Sequence, residues 1–288
     1  MNTTQLECRR IPTSELQAQR QTDYVDTGLV SALRELMFGP NVVLRGPKGG
    51  GKSMAFEQLA ALEGIPLLRQ ECCEETSVRD LVGTFSVQGD EVFFQEGALT
   101  TAIDVANEDG ACLLVLEEVN TLPPMTQKIL NPLMDYRRSI QVPKAGRAWH
   151  LLPDHNLWVC GTMNPNYAGT YGLNEDLRSR CEFIDVNYMP PEKEKEVLIK
   201  QFPSPPNALE RKIVDQVVNL ARETRSERMG YGLSTRDIVQ FVRNMLLTKD
   251  RDRALKLLEG KFEGEHIQDF RARVMSVFNA NLDTIRLY

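Results

Sequence analysis

The stretch from 41 to 64 constrains the fold of this 288-residue chain more than any other part of its sequence. The apolar run "NVVLRG" (41–46) leads into the glycine-rich loop "GPKGGGKS" (46–53), and "KSMAFEQLAALEG" (52–64) has the composition of a helix. A short apolar strand that passes through a glycine-rich turn into a helix is the repeating unit of parallel α/β sheets. The sequence therefore predicts an α/β fold that includes this strand.

Four later apolar runs have the length and composition of buried parallel strands. They are "IPLLRQ" (65–70), "CLLVLEE" (112–118), "LWVCGTMN" (157–164) and "FIDVNY" (183–188). With the first run, and with helical patterns between them, they predict a parallel five-stranded sheet flanked by helices.

The pattern changes at Pro190 and Pro191. The later segments 207–227, 234–248, 251–260 and 265–282 read as amphipathic helices, and no further strand run follows. The sequence therefore predicts an α/β domain over residues 1–189 and a small all-α domain over residues 190–288.

Composition excludes several classes of protein. Hydrophobic residues make up 42% of the chain and charged residues 26%, as in ordinary soluble proteins. No apolar run approaches the roughly 20 residues of a membrane helix, and the N-terminus lacks the apolar stretch of a secretory signal. We therefore expect a cytoplasmic protein with no membrane contact. The formal net charge of −6 argues against a general nucleic-acid-binding face, although it leaves a local basic channel open.

The six cysteines are predicted to be reduced thiols, mostly buried. They are Cys8, Cys72, Cys73, Cys112, Cys160 and Cys181. None has Cys-x-x-Cys spacing, and Cys112 and Cys160 lie within apolar runs, which favours buried thiols over disulfides or zinc ligands.

The glycine-rich loop matches the pattern of a phosphate-binding loop in the strand–loop–helix context that such a loop requires. Backbone N–H groups of the loop and of the helix N-terminus can surround phosphate oxygens. Lys52 would reach the β- and γ-phosphates, and the hydroxyl of Ser53 would contact Mg²⁺. The predicted nucleotide-binding residues are Gly46, Pro47, Lys48, Gly49, Gly50, Gly51, Lys52, Ser53 and Met54.

Polar side chains end two of the predicted strands, at the edge of a parallel sheet where ligands bind. Glu117 and Glu118 follow four apolar residues, and Asn164 ends a later run. Glu117 is predicted to lie on the Mg²⁺ side, Glu118 to polarise an attacking water, and Asn164 to hydrogen-bond the γ-phosphate and that water. The alternatives are a solvated helix cap for the two carboxylates and a simple turn for Asn164.

Three arginines are candidates for contacts with phosphate. Arg178 and Arg180 precede the last strand, where a cation could stabilise transition-state charge, or where both could be surface residues of a helix. Arg236 lies just inside a helix start that Ser234 or Thr235 would cap. The helix dipole disfavours a cation there, and a phosphate partner would offset that effect.

Two segments predict hairpins within the α/β domain, at about 84–97 and 137–156. The first alternates on both sides of Gly89-Asp90, a strong two-residue turn signal, and the second has extended pieces around 144–146. From the residues alone they are surface loops without a role.

The ordered motifs resemble those of AAA+ ATPases, which are P-loop NTPases. They are "GPKGGGKS", "LLVLEEVN", "GTMNPN", "LNEDLRSRCEFIDV" and "GLSTRDI". More closely, the chain resembles the MoxR branch and its neighbours: the CbbQ/NorQ-type activases, gas-vesicle GvpN and the dynein-related AAA modules. The resemblance covers the chain from about Val25, including both hairpins.

This resemblance implies ATP and Mg²⁺ as ligands, a ring that is usually a homo-hexamer with ATP between subunits, and a lid formed by the helical domain. It also implies that the two hairpins face the pore or one face of the ring and touch the substrate. The matched positions are Lys52 and Ser53 in Walker A, Glu117 and Glu118 in Walker B, Asn164 at sensor 1, Arg180 (with Arg178 as second candidate) at the arginine finger, and Arg236 at sensor 2.

Three functions remain open on the sequence. The resemblance implies an ATP-driven ring that remodels or activates a client protein complex, often through a partner with a von Willebrand A domain. A nucleic-acid motor is the second, because the second hairpin carries Arg137, Arg138, Lys144 and Arg147. A scaffold that binds nucleotide without turning it over is the third.

Two features depart from the usual pattern. Walker B ends in Glu-Glu, so Glu117 stands where Asp is usual, and Mg²⁺ tolerates little distortion of its ligands. Within the loop, Gly50 replaces a bulkier residue and Lys48 adds a charge. Neither departure removes a required group, so ATP hydrolysis is expected.

Overall fold

The computed structural model describes residues 8–9, 13–18, 24–165, 169–203, 211–225 and 231–285. The chain splits into two compact units. Of the described residues, those before 19, 28–47 and 51–186 belong to the first unit, and 24–27, 48–50 and those from 187 onward belong to the second.

The strands are β1 (Cys8–Arg9), β2 (Asn41–Arg45), β3 (Leu67–Glu71), β4 (Gly83–Gln88), β5 (Glu91–Glu96), β6 (Ala111–Glu117), β7 (Ser139–Val142), β8 (Arg147–His150), β9 (Asn156–Met163) and β10 (Cys181–Asp185). The helices of the first unit are α1 (Leu29–Leu36), α2 (Lys52–Glu63), α3 (Val78–Val82), α4 (Ala98–Asp109), α5 (Pro124–Gln127), α6 (Asn131–Met134) and α7 (Glu175–Arg178). Short 3₁₀ turns cover Thr13–Leu16, Val119–Thr121, Lys128–Leu130 and Pro143–Ala145.

The central sheet has the order β10-β2-β9-β6-β3 and is parallel throughout, which confirms the predicted five-stranded parallel sheet. Helices cover it, with α4 packed on β6 and α1 packed on α2. Because both faces are covered, the middle of β6 is continuously apolar, and Leu113–Leu116 are at most 1% exposed. The loops after the adjacent strands β2, β9 and β6 therefore share one edge of the sheet.

The last strand was expected at 183–188, and this position is wrong by about two residues. β10 pairs with β2 from Cys181 beside Asn41 to Asp185 beside Arg45. After Arg45 the neighbouring chain enters the glycine-rich loop, and the pairing ends with the hydrogen bond from the N–H of Val186 to the carbonyl of Arg45. The register of the neighbour, which the apolar pattern does not encode, sets the ends of the strand.

Both predicted hairpin segments form antiparallel pairs. β4 and β5 turn at Gly89-Asp90, with Gly89 at φ 63°. β7 and β8 are joined by a 3₁₀ turn that ends at Gly146, whose φ is 61°. β1 pairs in parallel with β5, so the first hairpin belongs to a three-stranded sheet. The sequence analysis did not predict this pairing.

The described cysteines other than Cys8, whose side chain lies outside the described part, are free thiols. Cys72, Cys112 and Cys160 are buried, as expected, whereas Cys73 is exposed. Burial raises the pKa of Cys72 and of Cys112 to about 12, so these thiols stay protonated at neutral pH.

The second unit consists of five further helices: α8 (Pro191–Gln201), α9 (Arg211–Thr224), α10 (Thr235–Thr248), α11 (Arg251–Glu259) and α12 (His266–Phe278), followed by a 3₁₀ turn at Leu282–Thr284. They surround a core that includes Leu198, Val217, Phe241 and Phe270, each at most 1% exposed. The outer parts of the expected helix 207–227 lie outside the described residues. No helix in the described ranges is long and apolar enough to cross a membrane.

A buried ion pair holds three helices of this unit together. Arg225 donates two hydrogen bonds to Glu194, at 2.6 and 3.0 Å, and Thr235 donates to the same carboxylate at 2.7 Å. Glu194 is fully buried. The pair therefore links the start of α8 to the end of α9 and the first residue of α10.

We expect Arg225→Ala to lower the free energy of unfolding by about 3 kcal/mol, because it leaves a carboxylate buried without its cation. Urea denaturation followed by circular dichroism measures this. Lys195→Ala is the matched control, since Lys195 pairs with Asp215 at the surface and such pairs contribute about 1 kcal/mol or less. Equal losses for the two variants would contradict the expectation.

Candidate functional site

The glycine-rich loop joins β2 to α2 at the shared sheet edge. Gly49 and Gly51 have φ of 74° and 83°, a region that residues with a Cβ rarely adopt. At Gly46 a Cβ would lie 1.8 Å from the carbonyl oxygen of Val186, so only glycine fits there. The backbone therefore requires glycine at two of the three consecutive positions, Gly49 and Gly51, whereas Gly50 has no positive φ. Lys48 is exposed.

Lys52, the first residue of α2, is 7% exposed and spans the loop. Its ammonium donates to the carbonyl oxygens of Gly46 and Pro47 at 2.8 and 2.7 Å and to Oδ1 of Asn164 at 2.9 Å. The three acceptors are neutral oxygens. The charge of Lys52 is therefore held at the mouth of the loop, next to the end of β9.

Ser53 and Glu117 come together from different elements. The Ser53 hydroxyl donates to Oε2 of Glu117 at 2.8 Å, and Nη1 of Arg69 lies 3.9 Å from the other carboxylate oxygen. Glu117 is the last residue of β6, and its longer side chain reaches the serine directly. The glutamate at this position therefore still presents a carboxylate beside the Walker A hydroxyl.

Glu118 has an unusual backbone conformation, with φ 53° and ψ 42°. Left-handed geometry at a residue other than glycine costs on the order of 1–3 kcal/mol, and such residues are enriched at functional sites. Its backbone N–H donates to Oγ1 of Thr162, and its Oε1 accepts from Nδ2 of Asn164 at 3.0 Å. The sharp turn at the end of β6 thus aims the carboxylate at the end of β9.

The amide of Asn164 bridges the two charged groups. Its Oδ1 accepts from Lys52 and its Nδ2 donates to Glu118, and this is the only orientation of the amide that satisfies both partners. Asn164 is 7% exposed, so water competes little for these contacts. The hydrogen-bonded series Lys52–Asn164–Glu118 therefore connects the segments that follow the adjacent strands β2, β9 and β6.

Asn120 also belongs to this site and was missed by the sequence analysis. It is 2% exposed, and its Nδ2 donates to the backbone carbonyl of Asn164 at 3.0 Å. The backbone N–H of Tyr171 donates to its carbonyl at 2.7 Å. Asn120 ends the motif "LLVLEEVN", but that motif does not indicate a partner 44 residues away in the chain.

The three candidate arginines lie outside this network in the described part of the chain. Arg178 ends α7 with its side chain exposed. Arg180 is half-buried, and its guanidinium donates to the carbonyl of Asp176 at 2.5 Å and lies 3.7 Å from Asp135. Arg236 is exposed as the second residue of α10, in the other unit. Ser234 caps that helix, as one of the two predicted caps.

The residues at the sheet edge fit a nucleotide with Mg²⁺. Open glycine backbone, a helix N-terminus and a buried ammonium are the groups that bind phosphate oxygens. The Ser53 hydroxyl and the Glu117 carboxylate are oxygen ligands of the kind that Mg²⁺ uses with substrate phosphates rather than in an all-protein site. The described residues contain no cluster of three or more His, Cys, Asp or Glu side chains that could hold a metal ion.

Sequence comparisons agree with this geometry. Residues 41–181 match the AAA domain of the dynein-related subfamily. CbbQ of Hydrogenophilus thermoluteolus is 30% identical over 199 residues, which is 69% of this chain and 71% of that protein.

Two further relatives have either lower coverage of their own length or lower identity than CbbQ. YojN of Bacillus subtilis is 30% identical over 200 residues, 68% of this chain and 62% of its own length. The SH1500 protein of Staphylococcus haemolyticus is 28% identical over 191 residues, 65% of this chain and 68% of its own length. The matched segment therefore spans less than two thirds of YojN. The phosphate-loop geometry, the parallel sheet and the similarity to CbbQ together show that this chain belongs to the dynein-related AAA family, in its MoxR group.

Proposed function

We propose that this protein is a ring-forming ATPase that uses Mg²⁺·ATP to remodel or activate a client protein complex in the cytoplasm. The observation that carries the proposal is the connected set Lys52–Asn164–Glu118, with Ser53 on Glu117 beside it. A phosphate-binding cation, an amide and a carboxylate within one network are the groups that hydrolysis of a phosphoanhydride requires.

Each residue has a distinct part in the proposed reaction. Lys52 and the loop N–H groups bind the phosphates, and Ser53 with Glu117 holds the metal, which neutralises phosphate charge when bound. Glu118 takes a proton from the attacking water. Asn164 keeps the base and the cation in a fixed relation, because its amide contacts both.

Phosphate release from purified protein tests the activity. We expect turnover of ATP in Mg²⁺ and none in excess EDTA, with the specific rate rising with protein concentration as subunits assemble. Binding of a fluorescent ATP analogue, measured in the same samples, separates a scaffold from an enzyme. Tight nucleotide binding with no release of phosphate at any protein concentration would contradict the proposal.

Asn120 provides a smaller, specific test of the site. We expect Asn120→Ala to lower kcat about tenfold with little change in KM, because one hydrogen bond that positions Asn164 is lost. A coupled ATPase assay measures both constants. Asn107→Ala is the matched control, since Asn107 likewise donates to a distant backbone carbonyl, that of His150. An unchanged kcat for Asn120→Ala would contradict the assigned role.

A nucleic-acid motor is less well supported, because the basic cluster on the second hairpin is mostly engaged. Arg137 hydrogen-bonds Asp135, whose pKa it holds at about 2, and Arg138 is half-buried against the carbonyl of Leu157. Arg147 lies over the ring of Trp149 and 3.6 Å from Asp104. Few of these cations are therefore available for a phosphate backbone.

The proposed partner is a client protein, reached directly or through a protein with a von Willebrand A domain. The similarity to CbbQ supports this choice. A pull-down with Glu118→Gln in ATP, compared with the same protein in ADP, tests it. Recovery of nucleic acid instead of protein would contradict it.

A further inference from the structure

The two hairpins enclose a large groove within the first unit. Its volume is 870 Å³, and residues from α3, β4, β5, the segment 128–132, and β7 with its following turn line it. Apolar side chains such as Phe85, Ile129 and Pro132 form part of its wall. The nucleotide site uses none of these residues.

The charge of this groove is opposite to that of the chain. Four cations line it: Arg79, Lys128, Arg137 and Lys144. Among the residues that the structure describes, no acidic side chain lines it, although the chain has a net charge of −6. Arg137 is paired with Asp135. The side chains of Arg79, Lys128 and Lys144 are exposed and make no hydrogen bond or ion pair with any described residue. The groove therefore suits a partner that is both apolar and acidic.

The tip of the first hairpin has that chemistry. Val87 and Val92 face each other across β4 and β5 and are 70% and 53% exposed. Asp90, in the turn, and Glu91, beside it, are exposed, and neither carboxylate has a partner among the described residues. An apolar pair flanked by two free carboxylates complements a groove of apolar side chains and free cations.

The tip cannot fill the groove of its own subunit. Phe85 lines the groove, and Gly89 at the turn is four residues farther along an extended strand, which places the tip about 13 Å away from it. The two strands are paired from Gly83 beside Glu96 to Gln88 beside Glu91, so the hairpin extends away from its own base. The two surfaces can therefore meet only between copies.

We propose that the hairpin tip of one subunit (Val87, Asp90, Glu91 and Val92) docks in the groove of the next, where Arg79 and Lys144 pair with its carboxylates. Because tip and groove are different surfaces, the contact is head-to-tail and generates a ring when the rotation closes. This inference rests on the proposed assembly into a ring and names the surfaces that form it.

Charge reversal on each surface tests the contact. The tip variant is Asp90→Lys with Glu91→Lys, and the groove variant is Arg79→Glu with Lys144→Glu. Assembly is measured by mass photometry and sedimentation velocity with Mg²⁺ and a non-hydrolysable ATP analogue. Alone, each variant should need about tenfold more protein to assemble, because like charges then meet. An equimolar mixture should assemble at about the wild-type concentration, because every contact is again between opposite charges.

Matched variants and a wild-type measurement keep the result interpretable. Glu108→Lys with Asp109→Lys reverses two exposed carboxylates at the end of α4 and should leave assembly unchanged. Circular dichroism melting confirms that each variant is folded. Independently of any variant, the wild-type assembly should weaken as NaCl rises, because salt screens the pairs.

The outcomes separate this inference from the proposed function. Wild-type assembly with normal assembly of either charge-reversed variant would overturn the inference and leave the ring intact. Loss of assembly in both variants without recovery in the mixture would also overturn it. A wild-type protein that stays monomeric at all concentrations would contradict the proposed ring itself.

Discussion

Glu118→Gln is expected to lower ATP turnover by about 10²- to 10⁴-fold while nucleotide binding is retained. The amide has nearly the shape of the carboxylate but cannot accept a proton from water. It can still meet Nδ2 of Asn164 through its oxygen, so the network that includes Lys52 should persist. Single-turnover phosphate release measures the chemical step, and titration with a fluorescent ATP analogue measures binding.

Glu71→Gln is the matched control for this change. Glu71 ends β3, pairs in register with Glu117 on β6, and is exposed. The same substitution therefore occurs one strand away, without contact to Asn164. We expect its turnover to stay within about twofold of the wild type. If the Glu118→Gln protein keeps more than a tenth of wild-type turnover, Glu118 is not the general base.

The second large effect concerns Arg180, which the family resemblance predicts to act on the nucleotide of a neighbouring subunit. Removal of such a finger lowers kcat by about 10³-fold or more in nucleotide hydrolases, because transition-state charge loses its cation. We expect this loss for Arg180→Ala, with ATP binding nearly unchanged, and less than tenfold loss for Arg178→Ala. Arg180 is half-buried and held by Asp176, which keeps it in a defined place, whereas Arg178 is exposed.

Mixing shows whether the arginine acts between subunits. Arg180→Ala subunits keep an intact Glu118, and Glu118→Gln subunits keep an intact Arg180. A mixture of the two inactive proteins should therefore recover measurable turnover, because some sites combine both intact residues. No recovery in assembled mixtures would mean that Arg180 acts within its own subunit. A large loss for Arg178→Ala with little effect of Arg180→Ala would reverse the assignment.

Local signals in the sequence predicted the sheet and the position of its loops. The apolar runs at 41–46, 112–118 and 157–164 lie in strands, and the helix after the loop ends at Gly64, as its sequence indicates. These features depend on neighbours in the chain, namely side-chain periodicity and a left-handed glycine, so that they can be recognised without the fold.

Other predictions failed where contacts with residues far away in the sequence determine the local structure. The ends of β10 follow the register of β2, 140 residues earlier, and not its own apolar run. Arg138 was counted in a basic surface cluster but is half-buried on the carbonyl of Leu157, and burial lowers its pKa. Asn120 ends the motif "LLVLEEVN", which does not indicate its contact with Asn164. A composition pattern gives the number of charges in a segment but not the partners that neutralise them.

The sequence by itself determined that a glycine-rich loop with Lys52 and Ser53 stands between a strand and a helix, and that carboxylates and an amide end later strands. Only the tertiary structure decided that Asn164 bridges Lys52 and Glu118, that Val186 leaves no room for a Cβ at Gly46, and that unpaired cations and carboxylates lie on separate surfaces of one unit. The physical reason is distance along the chain. Local conformation depends on adjacent residues, whereas hydrogen bonds and close approaches between residues 112 or 140 positions apart exist only after the sheet has brought the strand ends together.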